Sequence, residues 1–166
     1  MNTEELKQIQ APLKAKYRET PDAAVITLKA DGKLGEGITC SVQTGKALTA
    51  AGLHPATGGN GMSACSGDML LEALVACAGV TLGAVATAIG VEVRKGSVHA
   101  EGDLDFRGTL GVAKDAPVGF KTVRLRFDLD TNATDEQLAT LQKLTERYCV
   151  VAQSLRQPPE FSISRS

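Results

Sequence analysis

Four cysteines, Cys40, Cys65, Cys77 and Cys149, hold the reactive chemistry of this 166-residue chain. A thiol attacks only as its thiolate, so each cysteine is judged by what lowers its pKa and what it can reach. Cys77 sits near the centre of Met69–Val91, an apolar and small-residue run with a single charge, Glu72. There a thiol is either packing or the reactive group. Cys65 adjoins a Gly-rich stretch at the start of a helix, where the helix dipole favours a thiolate, and it stands as the alternative nucleophile. Cys40 shares a strand face with Ile38 and Val42 and reads as core filling. On one helix Cys65 and Cys77 are separated by roughly 18 Å, beyond the about 7 Å between Cα atoms that a disulfide spans. No Cys-x-x-Cys or His-x-x-x-His spacing proposes a metal site, and four scattered cysteines do not make a disulfide scaffold.

The elements that position these thiols follow from periodicity and punctuation. Thr3–Tyr17 reads as a polar helix within an N-terminal helical arm over residues 1–20. Ala23–Ala30 and Glu36–Gln43 read as strands of a hairpin turning at Asp31-Gly32. Thr44–Ala64 is Gly-rich and reads as a structured loop. His54, ahead of Pro55, is expected to stabilise that loop as a hydrogen-bond donor, since no second histidine has ligand spacing. Gly58, Gly59 and Gly61 lack the strand-to-helix setting of a phosphate loop. A long helix is predicted from an N-cap at Ser66, with Asp68 in its first turn, to a C-terminal Gly90. Val98–Phe106 and Val123–Leu129 alternate apolar with charged residues and predict strands with one wet face. Thr134 and Gln137 form a capping box before Leu138, Leu141 and Leu144, so a second amphipathic helix ends at Cys149. Val150–Leu155 begins another helical turn, Pro158 and Pro159 stop it, and Phe161–Ser164 reads as an edge strand.

Composition narrows the function classes. Lys and Arg number 18 against 19 Asp and Glu, which gives no basic surface for nucleic acid. Met69–Val91 is long enough to span a bilayer. Its Ala, Gly and Thr content, and the lack of an aromatic belt, instead predict a helix buried in protein. Met1–Arg18 is polar and charged, unlike a signal peptide, so the expected location is cytoplasmic, with the cysteines as thiols. The long helix is apolar on more faces than one sheet layer covers, which predicts an obligate homodimer.

Ser66 to Cys77, then the strand pair containing Asp105-Phe106-Arg107-Gly108, then Glu146-Arg147-Tyr148-Cys149-Val150, together resemble the OsmC/Ohr family of organic hydroperoxide reductases. The resemblance runs over about Ala23–Ser164. It implies one α+β domain over residues 1–166, with antiparallel sheets packed around a long buried central helix, in an intertwined homodimer with interfacial active sites. It also implies a thiol peroxidase without cofactor or metal, in which Cys77 is the peroxidatic thiol, Cys149 resolves it, and an external dithiol resets the pair. An OsmC-like fold that binds a small ligand or transfers a thiol, without peroxidase activity, is the alternative. The family pattern includes an arginine that activates the thiol and a glutamate that holds it. Here the glutamate position is Gly67, beside Asp68, and the proline after the second cysteine is Val150. Arg18, Arg107 and Arg147 are candidate cations, while Glu72, on another helix face from Cys77, would anchor an arginine from a neighbouring chain.

Overall fold

Strands β1 (Gly32–Leu34), β2 (Thr39–Thr44), β3 (Ala47–Gly52) and β4 (Ala64–Cys65) form a four-stranded sheet, and helix α1 (Ser66–Ile89) leaves its last strand directly. Strands β5 (Val93–Leu104), β6 (Phe120–Thr131) and β7 (Glu160–Arg165) form a three-stranded sheet. A short helix α2 (Phe106–Thr109) lies between β5 and β6, and α3 (Asp135–Tyr148) and α4 (Val150–Ser154) lie between β6 and β7. The computed structural model describes residues 2–5, 8, 11, 19, 32–34, 39–44, 47–110 and 113–165, with side chains for residues 2–5, 8, 11 and 19 and from Thr49 onward except that of Arg107. Most of the expected N-terminal arm, the expected strand Ala23–Ala30, and the side chain of Cys40 lie outside that description. Thr3–Glu5 is helical, and the Thr3 hydroxyl donates to the Thr87 carbonyl at 2.7 Å.

The alternating segments behave as strands with one dry face. Register pairs Ala100 with Leu125 and Val98 with Phe127 on one side, and His99 with Arg126 and Glu101 with Arg124 on the other. The first set faces the core, where Leu125 and Phe127 are fully buried. Against this face α1 lays a stripe of Leu74, Ala78, Leu82 and Val85, repeating at helical spacing. Leu138 and Leu141 of α3 close the same cluster. Truncating Phe127 or Leu141 to alanine removes a filled core volume and costs about 2–5 kcal/mol.

The helix limits follow local chemistry. Gly90 takes φ 73°, and its N–H closes the last turn onto Ala86 and Thr87, as the αL cap requires. At the other end the cap is Cys65 instead of Ser66, and it makes no side-chain capping bond, because the chain enters α1 straight from β4. The Thr134–Gln137 capping box is present with both reciprocal bonds. The far side of α1 is open in the single chain, with Val80 76% exposed. By length and composition α1 is apolar enough to cross a membrane, and here its buried stripe packs on protein.

Several expectations shift. The predicted loop at Thr44–Ala64 contains β3, a strand without alternation or β-branched rhythm that is held by six consecutive pairings with β2. Gly32 is no turn residue, since it pairs with Val42 inside β1–β2. Phe106 leaves the strand, and Asp105-Phe106-Arg107-Gly108 turns into α2. The sheets are antiparallel except for two pairs, β3–β4 and β6–β7, which run parallel because α-helical crossovers or loops return the chain in the same sense.

Candidate active site

Cys77 lies on α1 beside the buried Ala78, at the border of the core stripe, and is partly exposed. A mid-helix residue has no free backbone donors near it, because each helical N–H is committed to the carbonyl four residues earlier. Donors for its sulfur must come from another element. They come from α4.

Cys149 is at once the last cap of α3 and the first cap of α4. Its N–H donates to Thr145 O at 3.0 Å and its carbonyl accepts from the Gln153 N–H at 3.0 Å. Between those bonds the N–H groups of Val150, Val151 and Ala152 have no partner within the helix. They lie close enough to the two sulfurs to act on their pKa values. Burial pushes the Cys77 thiol up, but the Val151 N–H, the Cys149 thiol, the Thr81 hydroxyl and the Val150 N–H together hold its pKa below the ordinary thiol value. Thr81 is the weakest claim among these donors, since its single proton is given to the Cys77 carbonyl at 2.8 Å. For Cys149, full burial pushes the pKa up, the Ala152 N–H opposes it, and the adjacent Cys77 sulfur raises it further. Its pKa therefore lies above the ordinary thiol value. Of the two, Cys77 is the easier to ionise and Cys149 the harder.

Both thiols are reduced. The contact between them joins α1 to the α3–α4 junction, and Leu141, Thr145 and Ala152 wall the Cys149 side. About two turns toward the N-terminus of α1, Leu70 joins Val123 and Leu155 in lining a cavity of about 530 Å³, with Lys114 and Arg156 at its border.

The remaining candidates fall elsewhere. Arg147 is exposed, with its guanidinium 5.5 Å from the centre of the Tyr148 ring. Arg18 and the side chain of Arg107 lie outside the described residues. Glu72 is exposed and borders a groove with Asp68, Val75 and Ala76. His54, Cys65 and Asp68 meet around a separate cavity of about 180 Å³, where the His54 ring stacks on Phe106 at 5.0 Å. The His54 Nδ1 accepts from the Ala56 N–H at 3.0 Å, so its loop role is that of an acceptor, not the expected donor. Among the described residues no group of three or more His, Cys, Asp or Glu side chains is placed to hold a metal. Sequence reasoning missed the Val150, Val151 and Ala152 backbone donors. The signal for them was the break between two helices at Cys149.

The family model for OsmC-like protein matches residues 58–164. No curated protein matches the sequence. Among solved structures, an OsmC-like protein from Mycoplasma pneumoniae is similar with a TM-score of 0.69 at 13% identity, covering 84% of this chain and 97% of that one. An organic hydroperoxide resistance protein OsmC from Legionella pneumophila is similar with a TM-score of 0.65 at 18% identity, covering 86% and 98%. An organic hydroperoxide resistance protein from Elizabethkingia anophelis, with thiocyanate bound, gives a TM-score of 0.65 at 16% identity, covering 86% and 97%. At such identities these likenesses concern the fold.

Proposed function

The chain belongs to the OsmC-like protein family, and from that premise we propose that it is a cytoplasmic thiol peroxidase that reduces organic hydroperoxides with Cys77 and Cys149. The observation that carries the reading is the placing of Cys77, partly exposed on α1, beside the fully buried Cys149 of the α3–α4 junction, each acting on the other so that the Cys77 pKa falls below and the Cys149 pKa rises above the ordinary thiol value. A nucleophile needs the first property, and a waiting second thiol needs the other. The Cys77 thiolate attacks the terminal oxygen of the hydroperoxide, the O–O bond breaks, and the alkoxide leaves as the alcohol after taking a proton. Cys77 is then a sulfenic acid. Burial still raises the Cys149 pKa, but the added rise from a charged Cys77 sulfur is gone, while the Ala152 and Val151 N–H groups remain to favour the Cys149 thiolate. Cys149 attacks the Cys77 sulfur, water departs, and the Cys77–Cys149 disulfide forms. An external dithiol supplies two electrons and two protons to restore the thiols.

The neutral donors around Cys77 do part of the work that the resemblance gives to an arginine. The open face of α1, with Val80 and Leu70 exposed, supports assembly as a homodimer. Sedimentation at micromolar concentration should give twice the chain mass, and a folded monomer there would remove that part of the proposal. The activity itself is tested by following cumene hydroperoxide in the presence of a dithiol and catalytic amounts of the protein. Consumption is expected; an unchanged peroxide concentration would leave the small-ligand or thiol-transfer reading in its place.

A further inference from the structure

The two sulfurs that form the disulfide are not equally open to the reductant that must break it. Cys149 has no exposed surface, and Leu141 and Thr145, both fully buried, and Ala152 pack in the same layer. Cys77 is partly exposed on α1, and Val150 at the start of α4 is 68% exposed. An attacking thiolate must approach its target sulfur along the S–S axis, from the side opposite the leaving sulfur. For Cys149 that approach runs through close-packed core, which does not open for a solute without local unfolding.

We propose that the external dithiol attacks Cys77 and never Cys149, so that the regeneration intermediate is a mixed disulfide on Cys77. This inference rests on the Cys77–Cys149 disulfide of the proposed peroxidase. A reductant thiolate forms a bond to the Cys77 sulfur, the Cys77–Cys149 bond breaks, and its electron pair leaves on the Cys149 sulfur, which takes a proton. The second thiol of the reductant then displaces the Cys77 thiolate. The reductant leaves as a disulfide, oxidised by two electrons, and both cysteines are reduced. Leaving-group chemistry alone favours the opposite order, because the lower-pKa thiol leaves faster and Cys77 is the lower of the two. Burial overrides that preference, and the Ala152 and Val151 N–H groups receive the charge departing on Cys149.

The test traps the intermediate. The full chain is oxidised in two parallel samples, one with an equivalent of cumene hydroperoxide and one with diamide, then exposed briefly to the monothiol 2-mercaptoethanol, quenched in acid and mapped by peptide mass. The mercaptoethanol adduct is expected on the Cys77 peptide in about tenfold or greater excess over the Cys149 peptide, and the same experiment in denaturant should lose that bias. An adduct chiefly on Cys149, or equal on both in the folded chain, overturns the inference. A disulfide formed by diamide and not by the hydroperoxide defeats the peroxidase reading while still testing this one. Failure of both oxidants to join the two cysteines overturns both.

Discussion

Helix α1 carries one cysteine and is capped by another, and the one at its N-terminus is not the one that the fold equips. Cys65 has what sequence reasoning values, a helix start and a Gly-rich neighbour, yet its thiol makes no capping bond and lies beside the Gly67, Leu71 and Phe120 lining of a small cavity. Cys77 has a helix interior, where its own helix offers no free backbone donor. Its donors arrive from the start of α4, which is carried to the middle of α1 by the packing of α3 on the core. The difference teaches that thiol activation is a tertiary property here, made by the free N–H groups of one helix meeting a side chain of another.

The sharpest way to break the comparison is to exchange the two cysteines' importance. Cys77→Ser should reduce hydroperoxide consumption to the uncatalysed background, since an alcohol forms no sulfenic acid, whereas Cys65→Ser should stay within about twofold of the unmodified chain. Steady-state peroxide assays of both variants decide it, and the reverse pattern would move the nucleophile to the helix terminus. Cys149→Ser should act more narrowly: one peroxide consumed per chain, a sulfenic acid at Cys77 trapped by dimedone, and slow turnover with dithiol. Its hydroxyl replaces a fully buried thiol, so a denaturant melt should also show a loss of about 1–2 kcal/mol unless the hydroxyl finds an acceptor.

A finer test removes one donor and leaves the helix. Val150 is the first residue of α4, where proline fits, and Cys149 at φ −72° and ψ 104° already has the extended backbone that a following proline demands. Val150→Pro should therefore raise the Cys77 pKa toward the ordinary thiol value. Iodoacetamide labelling against pH reads this directly. In the unmodified chain the Cys77 rate should reach half its plateau below that value, because the reactive thiolate appears as pH rises through a lowered pKa, and Cys149 should respond only above it. The variant's Cys77 profile should move to higher pH. An unmoved profile would show that the Val150 N–H contributes nothing. The smallest effect belongs to the cap of α3: Thr134→Ala should cost about 1 kcal/mol in a thermal or denaturant melt and leave the labelling profiles unchanged.

What was legible in the sequence follows the strength of local signals. The Thr134–Gln137 box, Gly90 and the alternation in β5 and β6 are determined by residues close in the chain, and they appear where expected. Cys149 at a helix end was visible for the same reason. The strand Ala47–Gly52 was hidden because Ala-Leu-Thr-Ala-Ala-Gly carries no pattern, and its extended form depends on the ladder with β2. Cys65 as the cap was hidden by Ser66, a stronger capping residue on composition alone. The meeting of Cys77 with Cys149 came only through the resemblance, since no local pattern encodes a contact across so much chain. The N–H groups that lower the Cys77 pKa and oppose the rise at Cys149 are invisible to any reading of side-chain types, because backbone donors are present at every non-proline residue and only the fold decides which remain free.

The central claim is that Cys77 and Cys149 form a working pair from which Cys65 is excluded. Its most direct test is to treat the fully reduced chain with one equivalent of cumene hydroperoxide in the absence of any reductant, block remaining thiols with iodoacetamide under denaturing conditions, and map the peptides by mass. The account predicts a Cys77–Cys149 disulfide within one chain, with Cys40 and Cys65 recovered alkylated. A disulfide that includes Cys65, or four alkylated cysteines beside unconsumed peroxide, would contradict it.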